Sequence, residues 1–222
     1  MDAKARATSP DVNRRSGAQP QPLFSRLVLA SGNPGKLREF RRLFSPLGIE
    51  VITQADLGVA EVPEPHVTFI ENALAKARHA SAQAQLPALA DDSGICVAAL
   101  NGAPGVHSAR YAGEPASDRR NNEKLVAALR SITDRRAHYY CVLVLVRRAH
   151  DPEPIVAEGA WHGIIVENPR GGGGFGYDPY FQDSETGLTG AELPLARKNE
   201  ISHRGRAMRA LLAKLADMKD NE

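Results

Sequence analysis

The feature that most constrains the fold is a strand, a turn, a helix and a second strand that follow one another near the N-terminal end. Arg26–Ala30 is a short apolar run, and Glu50–Thr53 is another. Over Lys36–Phe44, between them, leucine and phenylalanine recur at helical spacing, with arginine and glutamate on the opposite side. A strand–helix–strand succession of this kind predicts a parallel pair of strands and therefore an α/β fold.

The turn before that helix has the composition of a phosphate-binding loop. Two glycines let the backbone approach a ligand, the helix N-terminus favours an anion, and a lysine adds a full positive charge. The turn matches neither the P-loop pattern GxxxxGK[ST] nor the dinucleotide-binding pattern GxGxxG, so any phosphate would be bound by a loop of different geometry. An ordinary glycine–proline connection is the alternative interpretation. The candidate phosphate-binding residues are Ser31, Gly32, Asn33, Pro34, Gly35 and Lys36.

The remaining elements predict a mixed sheet with flanking helices. Thr68 and Glu71 form a capping box, in which each side chain satisfies the other residue's free amide, in front of an alanine-rich helix. The run 138–146 (HYYCVLVLV) is the strongest strand signal, and 154–166 follows after a few turn residues. This spacing predicts an antiparallel hairpin. A final amphipathic helix ends near Met218.

Composition places the chain among ordinary globular proteins, because 42% of its 222 residues are hydrophobic and 24% are charged. A net charge of +2 is too small to imply nucleic-acid binding, and no run is long enough to span a membrane. Two cysteines in apolar runs favour reduced thiols and a cytoplasmic location. Residues 1–25 are polar and lack the apolar core of a secretory signal. We therefore expect a disordered N-terminal extension followed by a single domain over residues 26–219.

A second polar segment, residues 91–94 (DDSG), follows an apolar run and is expected, like the glycine turn, at the carboxyl end of a strand. In open α/β sheets, ligands bind at that edge. Adjacent residues of an extended chain point to opposite sides, so Asp91 and Asp92 need not act together. One interpretation is a pair of turn carboxylates. In the other, one carboxylate binds Mg²⁺ or takes the proton of an attacking water, with Glu64 nearby as a further ligand.

Two later segments offer groups that suit a flat ring bearing oxygen atoms. Phe175 follows a run of four glycines and is followed by another glycine, so its ring can stack on a base, with core packing as the alternative. Ser202 is a candidate N-cap that would place His203 and Arg204 at the start of the last helix. Their donors suit keto or phosphate oxygens, whereas a solvated charge run is the alternative. Together these segments predict a Mg²⁺-dependent enzyme acting on a nucleotide-like phosphate ester.

Several segments, in the same order, resemble the Ham1/RdgB family of inosine triphosphate pyrophosphatases. They are LASGNPGK, TFIENALAKARHA, ALADDSGICV, GAPGVHSARYAG, GGFGYDPYF and ISHRGRA, spread over about residues 29–207. The resemblance implies hydrolysis of dITP, ITP and XTP to the monophosphate and pyrophosphate with Mg²⁺, which removes noncanonical purines from the nucleotide pool. It also implies a homodimer and an elongated α/β fold similar to the Maf fold, with a long mixed sheet and two lobes around a substrate cleft.

The resemblance further implies a role for each matching residue. Asp92 would be the proton acceptor and, with Glu64, a Mg²⁺ ligand. Donors from His203 or Arg204 suit the oxygen at C6 of hypoxanthine and xanthine. The same donors would meet the amino group of adenine donor to donor, and a buried unpaired donor costs about 1–3 kcal/mol. The substrate-binding residues implied in this way are Ser31, Gly32, Asn33, Pro34, Gly35, Lys36, Ser93, Phe175, Gly176, Tyr177, Asp178, Lys198, His203 and Arg204.

Two other functions remain open at this point. One is a broader nucleotide pyrophosphatase that acts on modified pyrimidines, which a comparison of dITP with dUTP and dTTP would separate. The other is a nucleotide-binding regulator without turnover, which would bind ITP and release no product. The presence of both Lys36 and Asp92 argues against the regulator.

Overall fold

The computed structural model describes residues 24–32 and 34–219. In this part of the chain six strands form one mixed sheet in the order β2-β1-β3-β4-β5-β6, which confirms the predicted α/β fold. The expected disordered extension falls largely on residues 1–23, which lie outside the described residues, as does Asn33. The strands are β1 (Arg26–Leu29), β2 (Glu50–Thr53), β3 (Ala88–Val97), β4 (Arg136–Val146), β5 (Ile155–Ile165) and β6 (Phe181–Asp183). The helices are α1 (Pro34–Phe44), α2 (Phe69–Ala84), α3 (Asp118–Ala128), α4 (Leu195–Ile201) and α5 (His203–Lys219).

The N-terminal strand–helix–strand unit forms as predicted. β1 and β2 are parallel neighbours, with Leu27 opposite Val51. α1 begins at Pro34, where a proline suits the first helical position because its fixed φ is already helical. Phe40 and Phe44 are fully buried in the core cluster that also contains residues of β1 and β2. The glycine turn therefore lies at the carboxyl end of β1 and at the N-terminus of α1.

β3 is longer than the sequence indicates. The prediction that residues 91–94 follow the carboxyl end of a strand is wrong, because β3 continues without a break to Val97. Its antiparallel ladder with β4 covers the whole strand, whereas β1 pairs only with Ala88 and Leu89. The long ladder outweighs the local turn preference of the DDSG segment. Because β1 stops short, the two aspartates still lie beside the glycine turn.

β4 and β5 form the predicted antiparallel hairpin, and helices cover different parts of the sheet's two faces. α2 packs its alanines, including Ala73 and Ala77, against valines of β4 on one face. α5 packs Leu211 and its neighbours against the opposite face. Near the far end of that opposite face, Trp161 is fully buried and its indole N–H donates to Asp183 Oδ1 at 2.7 Å.

The helix ends follow their sequence signals with one difference. The Thr68 hydroxyl accepts the Glu71 amide at 3.3 Å and donates to the Glu71 carboxylate at 2.6 Å. Both of these hydrogen bonds of the predicted capping box therefore involve the threonine hydroxyl. At the other end of the chain, the Ser202 hydroxyl accepts the Gly205 amide at 3.3 Å, as expected of an N-cap for α5. None of the helices in the described ranges combines the length and apolar character that crossing a bilayer requires.

Candidate active site

A polar cleft lies where the carboxyl ends of β1 and β2 meet α1, α2 and the middle of β3. Its volume is about 110 Å³. A Cβ on Gly32 would lie 2.7 Å from Glu61 Oε1, so glycine at this position leaves room for that carboxylate. The cleft is lined by Ala30, Ser31, Gly32, Lys36, Gln54, Glu61, Val62, Glu64, Lys76 and Asp91.

Asp91 anchors the lysine of the glycine turn. Lys36 Nζ lies 2.8 Å from Asp91 Oδ1 and 2.7 Å from Oδ2, and the Asp91 side chain is completely buried. Burial alone would raise the pKa of Asp91, but the charges of Lys36 and Arg204 outweigh it and hold the pKa well below its usual range. Asp91 is therefore a permanent anion that fixes the position of Lys36. The Ser93 hydroxyl also donates to this carboxylate, at 3.4 Å.

Asp92 points to the other face of β3, as the alternation of an extended chain predicts. It accepts hydrogen bonds from Asn72 Nδ2 and Lys76 Nζ of α2, each at 3.3 Å. Burial raises the pKa of Asp92; the Lys76 charge lowers it, and the Glu64 charge raises it again, with a net upward shift. A carboxylate with a raised pKa is a better proton acceptor near neutral pH than an ordinary aspartate.

Glu64 shares a cation with Asp92. Lys76 Nζ lies 2.8 Å from Glu64 Oε1 and 3.3 Å from Asp92 Oδ1, so both carboxylates converge on one positively charged position. In the described ranges no group of three or more His, Cys, Asp or Glu side chains converges in this way. A two-carboxylate oxygen set fits Mg²⁺, which takes one or two protein carboxylates and completes its shell with water and substrate phosphates.

The loop between β5 and β6 presents Phe175 to solvent. The ring is 62% exposed, so the core-packing alternative is wrong for Phe175. The Phe175 amide donates to Asp178 Oδ2 at 2.8 Å, and Lys198 Nζ donates to the same oxygen and lies 5.5 Å from the Phe175 ring centroid. Tyr177 is buried instead, and its hydroxyl donates to the Ser108 carbonyl at 2.8 Å. Asp178 therefore links the backbone of Phe175 to the Lys198 side chain.

His203 sits at the start of α5 with its ring stacked on Tyr139, at 4.7 Å between centroids and 9° between planes. Burial, and then the neighbouring charges of Arg204 and Lys198, lower the pKa of His203 well below its usual value. The imidazole is therefore neutral at pH 7 and offers one donor and one acceptor nitrogen.

Arg204 links this end of the site to the glycine turn. Its Nη1 lies 3.4 Å from Glu39 Oε2 on α1, and its Nη2 lies 4.0 Å from Asp91 Oδ2. Arg204 Nε and His203 Nδ1 are buried polar atoms that lack a hydrogen-bond partner among the described residues. Buried polar atoms are rarely left unpaired, so these two atoms mark a place where a ligand can supply the missing bonds.

The chain is similar to known proteins over most of its length. A model of the Ham1 family matches residues 27–214. The chain belongs to the Ham1 family. A protein of Nitrosomonas europaea named dITP/XTP pyrophosphatase is 61% identical over 194 residues, which cover 87% of this chain and 96% of that protein. A Burkholderia pseudomallei protein of the same name is 60% identical over 207 residues, which cover 92% of this chain and 100% of that protein.

Solved structures of this family share the fold. A HAM1 protein from Coxiella burnetii has a TM-score of 0.85 and 46% identity, and covers 87% of this chain and 100% of its own. A structure from Mycobacterium abscessus, titled nucleoside-triphosphatase / dITP/XTP pyrophosphatase, has a TM-score of 0.72 and 42% identity. That match covers 84% of this chain and 98% of the other.

The residues that the family resemblance singles out fall into two connected sets. One set joins Lys36 to Arg204 through Asp91, and the other joins Phe175 to Lys198 through Asp178. Asp92 belongs to neither set, because its hydrogen-bond partners, Asn72 and Lys76, both come from α2. Tyr177 packs in the core rather than facing solvent beside Phe175. The site therefore has a carboxylate region, a cationic region and an aromatic region.

Sequence reasoning missed two groups that the structure places in the site. Lys76 bridges Asp92 and Glu64, and Asn72 donates to Asp92. Their signal was present, because both are polar and lie one turn apart beside the apolar stripe of α2. The sequence indicates Asp91 as a candidate carboxylate, but it does not predict the ion pair of Asp91 with Lys36.

Proposed function

We propose that this chain hydrolyses noncanonical purine nucleoside triphosphates, dITP, ITP, XTP and dXTP, to the monophosphate and pyrophosphate. The observation that carries the proposal is the environment of Asp92, a largely buried carboxylate with a raised pKa that accepts a hydrogen bond from Lys76, which lines the polar cleft. The names of the relatives that are about 60% identical support the substrate class. Removing these nucleotides from the pool would prevent their incorporation into DNA and RNA.

In this mechanism Asp92 accepts the proton of the water that attacks the α-phosphate. Asn72 and Lys76 hold the carboxylate in position by donating to one oxygen each. Asp92 and Glu64 are the carboxylates that would hold Mg²⁺. When bound, the ion would supply charge neutralisation for the phosphate oxygens.

The triphosphate would be held by the glycine turn and the N-terminus of α1. Asn33 and Pro34 belong to this binding segment together with Ser31, Gly32, Gly35 and Lys36. Backbone N–H groups at a helix N-terminus favour an anion, and Lys36 adds charge for the pyrophosphate leaving group. Because Asp91 neutralises Lys36 in the absence of substrate, the lysine is already in place and needs no reorganisation when phosphate arrives.

The base would be recognised by the aromatic and cationic regions. Phe175 is exposed and can stack on a purine, a contact worth about 1–3 kcal/mol. The buried atoms His203 Nδ1 and Arg204 Nε would gain partners from the keto groups of hypoxanthine or xanthine. An amino group at C6, as in adenine, would leave a donor unpaired, so we expect selection against ATP.

The test is pyrophosphate release from dITP with Mg²⁺, measured for the wild type and for Asp92→Asn. Loss of a general base lowers the rate by about 10²–10⁴-fold, so we expect the variant to lose at least about 99% of kcat. Asp134→Asn, at an exposed aspartate outside the cleft, is the matched control and should keep full activity. Normal turnover by Asp92→Asn would remove Asp92 from the mechanism.

A substrate panel tests the specificity separately. We expect dITP and XTP to be cleaved well above ATP, dUTP and dTTP at equal concentration. Equal cleavage of the pyrimidines would favour the broader pyrophosphatase, and tight ITP binding without product would favour a regulator. We also propose that the protein acts in the cytoplasm as a homodimer, that residues 26–219 form its single domain, and that neither nucleic acid nor membrane is a partner.

A further inference from the structure

Two histidines face each other on a part of the sheet that the candidate active site does not use. His138 on β4 is directly opposite His162 on β5 in the antiparallel register, so both side chains lie on the same face. Their ring centroids are 5.4 Å apart and their planes are 35° apart. His162 is exposed and His138 is half-buried, so both rings are accessible from solvent.

This arrangement matches what a small chelating site for a transition metal needs. Residues opposite each other on antiparallel strands have Cβ atoms about 4.5–5.5 Å apart, which lets two rings converge on one point. Neutral imidazole is a common ligand for Zn²⁺, Ni²⁺ and Cu²⁺, whereas Mg²⁺ prefers oxygen. Within the described ranges, neither imidazole ring hydrogen-bonds to another protein group, and the Ser184 hydroxyl and amide meet His162 only at its backbone carbonyl. Their ring nitrogens are therefore available to a metal.

We propose that His138 and His162 together bind one divalent transition-metal ion, Zn²⁺, Ni²⁺ or Cu²⁺, with water in the remaining positions. The ion would join β4 to β5 by a link additional to the ladder hydrogen bonds.

The neighbouring groups define the limits of the site. Cys96 on β3 is opposite His138 in the same row, on the side away from His162. Its side chain is two strand spacings from His162, or roughly 10 Å, which places it beyond an ion held between the two rings. Tyr140 contacts His138 edge-on, with 6.4 Å between ring centroids. The site is therefore a two-histidine site with Cys96 outside it.

The proposal does not depend on the proposed catalytic function. Asp92 is opposite Val142 on β4, four residues along the strand from His138. That separation is about 13 Å, so an ion at the histidine pair does not share ligands with one at Asp92. A metal bound at the pair can be measured whether or not the enzyme is active.

The experiment is calorimetric titration of the full chain with ZnCl₂ at pH 7.5, in buffer with excess Mg²⁺ to occupy oxygen-ligand sites. We expect one Zn²⁺ per chain and a rise in Tm with added Zn²⁺, because the ion binds the folded state. His162→Gln and His138→Gln should each weaken binding by at least about tenfold. Loss of a direct ligand should cost at least as much as loss of an outer-shell partner, which already lowers metal affinity by about 10- to 100-fold. His107→Gln, at another exposed histidine, and Cys96→Ser are the matched controls and should leave the affinity unchanged.

Several results would overturn the proposal. Absence of saturable binding of Zn²⁺, Ni²⁺ and Cu²⁺ would do so, as would unchanged affinity in His162→Gln. A loss in Cys96→Ser as large as that in His162→Gln would place the ion elsewhere. Because His162 is exposed, its substitution should not unfold the chain, and the metal-free Tm of each variant checks this directly.

Discussion

The buried pair of Asp91 and Lys36 leads to a quantitative stability prediction. Asp91→Asn keeps the shape of the side chain and removes its charge, which leaves the Lys36 ammonium against a neutral amide. Both carboxylate oxygens lie within 2.8 Å of that ammonium, and the Asp91 side chain is fully buried. Removing one partner of a buried ion pair costs about 3–5 kcal/mol of unfolding free energy. For a chain of this size the same loss lowers Tm by roughly 6–20 °C.

The effect of Asp91→Asn should depend on pH. The folded-state pKa of Asp91 is depressed, because the charges of Lys36 and Arg204 outweigh burial. Its contribution to stability is therefore present above about pH 4, the pKa of aspartate in an unfolded chain, and is lost as the pH falls towards the folded value. The difference between wild type and variant should be largest near neutral pH and should shrink below about pH 4.

Urea unfolding followed by circular dichroism measures this difference across pH. Asp134→Asn is the control, because hydrogen bonds from Arg136 lower the pKa of Asp134 to about 2 although its carboxylate lies on the surface. We expect no measurable change in its unfolding midpoint, since exposed ion pairs are screened by solvent. Unfolding of Asp91→Asn at the wild-type midpoint at pH 7 would contradict a stabilising Asp91–Lys36 pair, as would a loss of stability that persists undiminished at acid pH.

Three further predictions test separate parts of the site and fold. Lys76→Met removes a charge 3.3 Å from Asp92 and should move the acid limb of the kcat/KM profile for dITP to higher pH, by about one to three units. Phe175→Ala should raise KM for dITP about 5- to 150-fold through lost stacking, and leave Tm unchanged because the ring is exposed. Gly94→Ala would place a Cβ 2.4 Å from a backbone oxygen and should destabilise the protein by about 1–3 kcal/mol in urea unfolding, whereas Gly172→Ala, with open space around it, should not.

The parts of the fold that sequence predicted well are those determined by local pattern. The helical spacing over Lys36–Phe44 and the apolar runs on either side are complete within about 30 residues, the length of one strand–helix–strand unit. The β4–β5 hairpin has the same property, because its strands are joined by a short turn. The continuity of β3 could not be predicted in this way. A ladder with β4, some 50 residues later in the chain, decides it against the turn preference of DDSG.

The candidate site shows the same division between local and distant information. Alternation along an extended chain predicted that Asp91 and Asp92 point apart, and the structure confirms it. Their partners could not be predicted, since Lys36 lies 55 residues before Asp91 and Lys76 lies 16 before Asp92. The stacking of His203 on Tyr139 likewise depends on α5 crossing the sheet, which no spacing in the sequence specifies.

The environments of the two adjacent aspartates explain why the proposed mechanism uses Asp92, and not Asp91, as the base. The Asp91 carboxylate meets Lys36 and Arg204, so its pKa falls and it stays ionised without taking up a proton. Asp92 faces α2, where burial and the charge of Glu64 outweigh Lys76 and raise its pKa. When the environments of two titratable groups push their pKa values apart, the group with the raised value is the one suited to exchange protons near neutral pH. In the proposed mechanism, the alternation of β3 would therefore leave proton transfer to Asp92, while Asp91 holds Lys36 and Arg204.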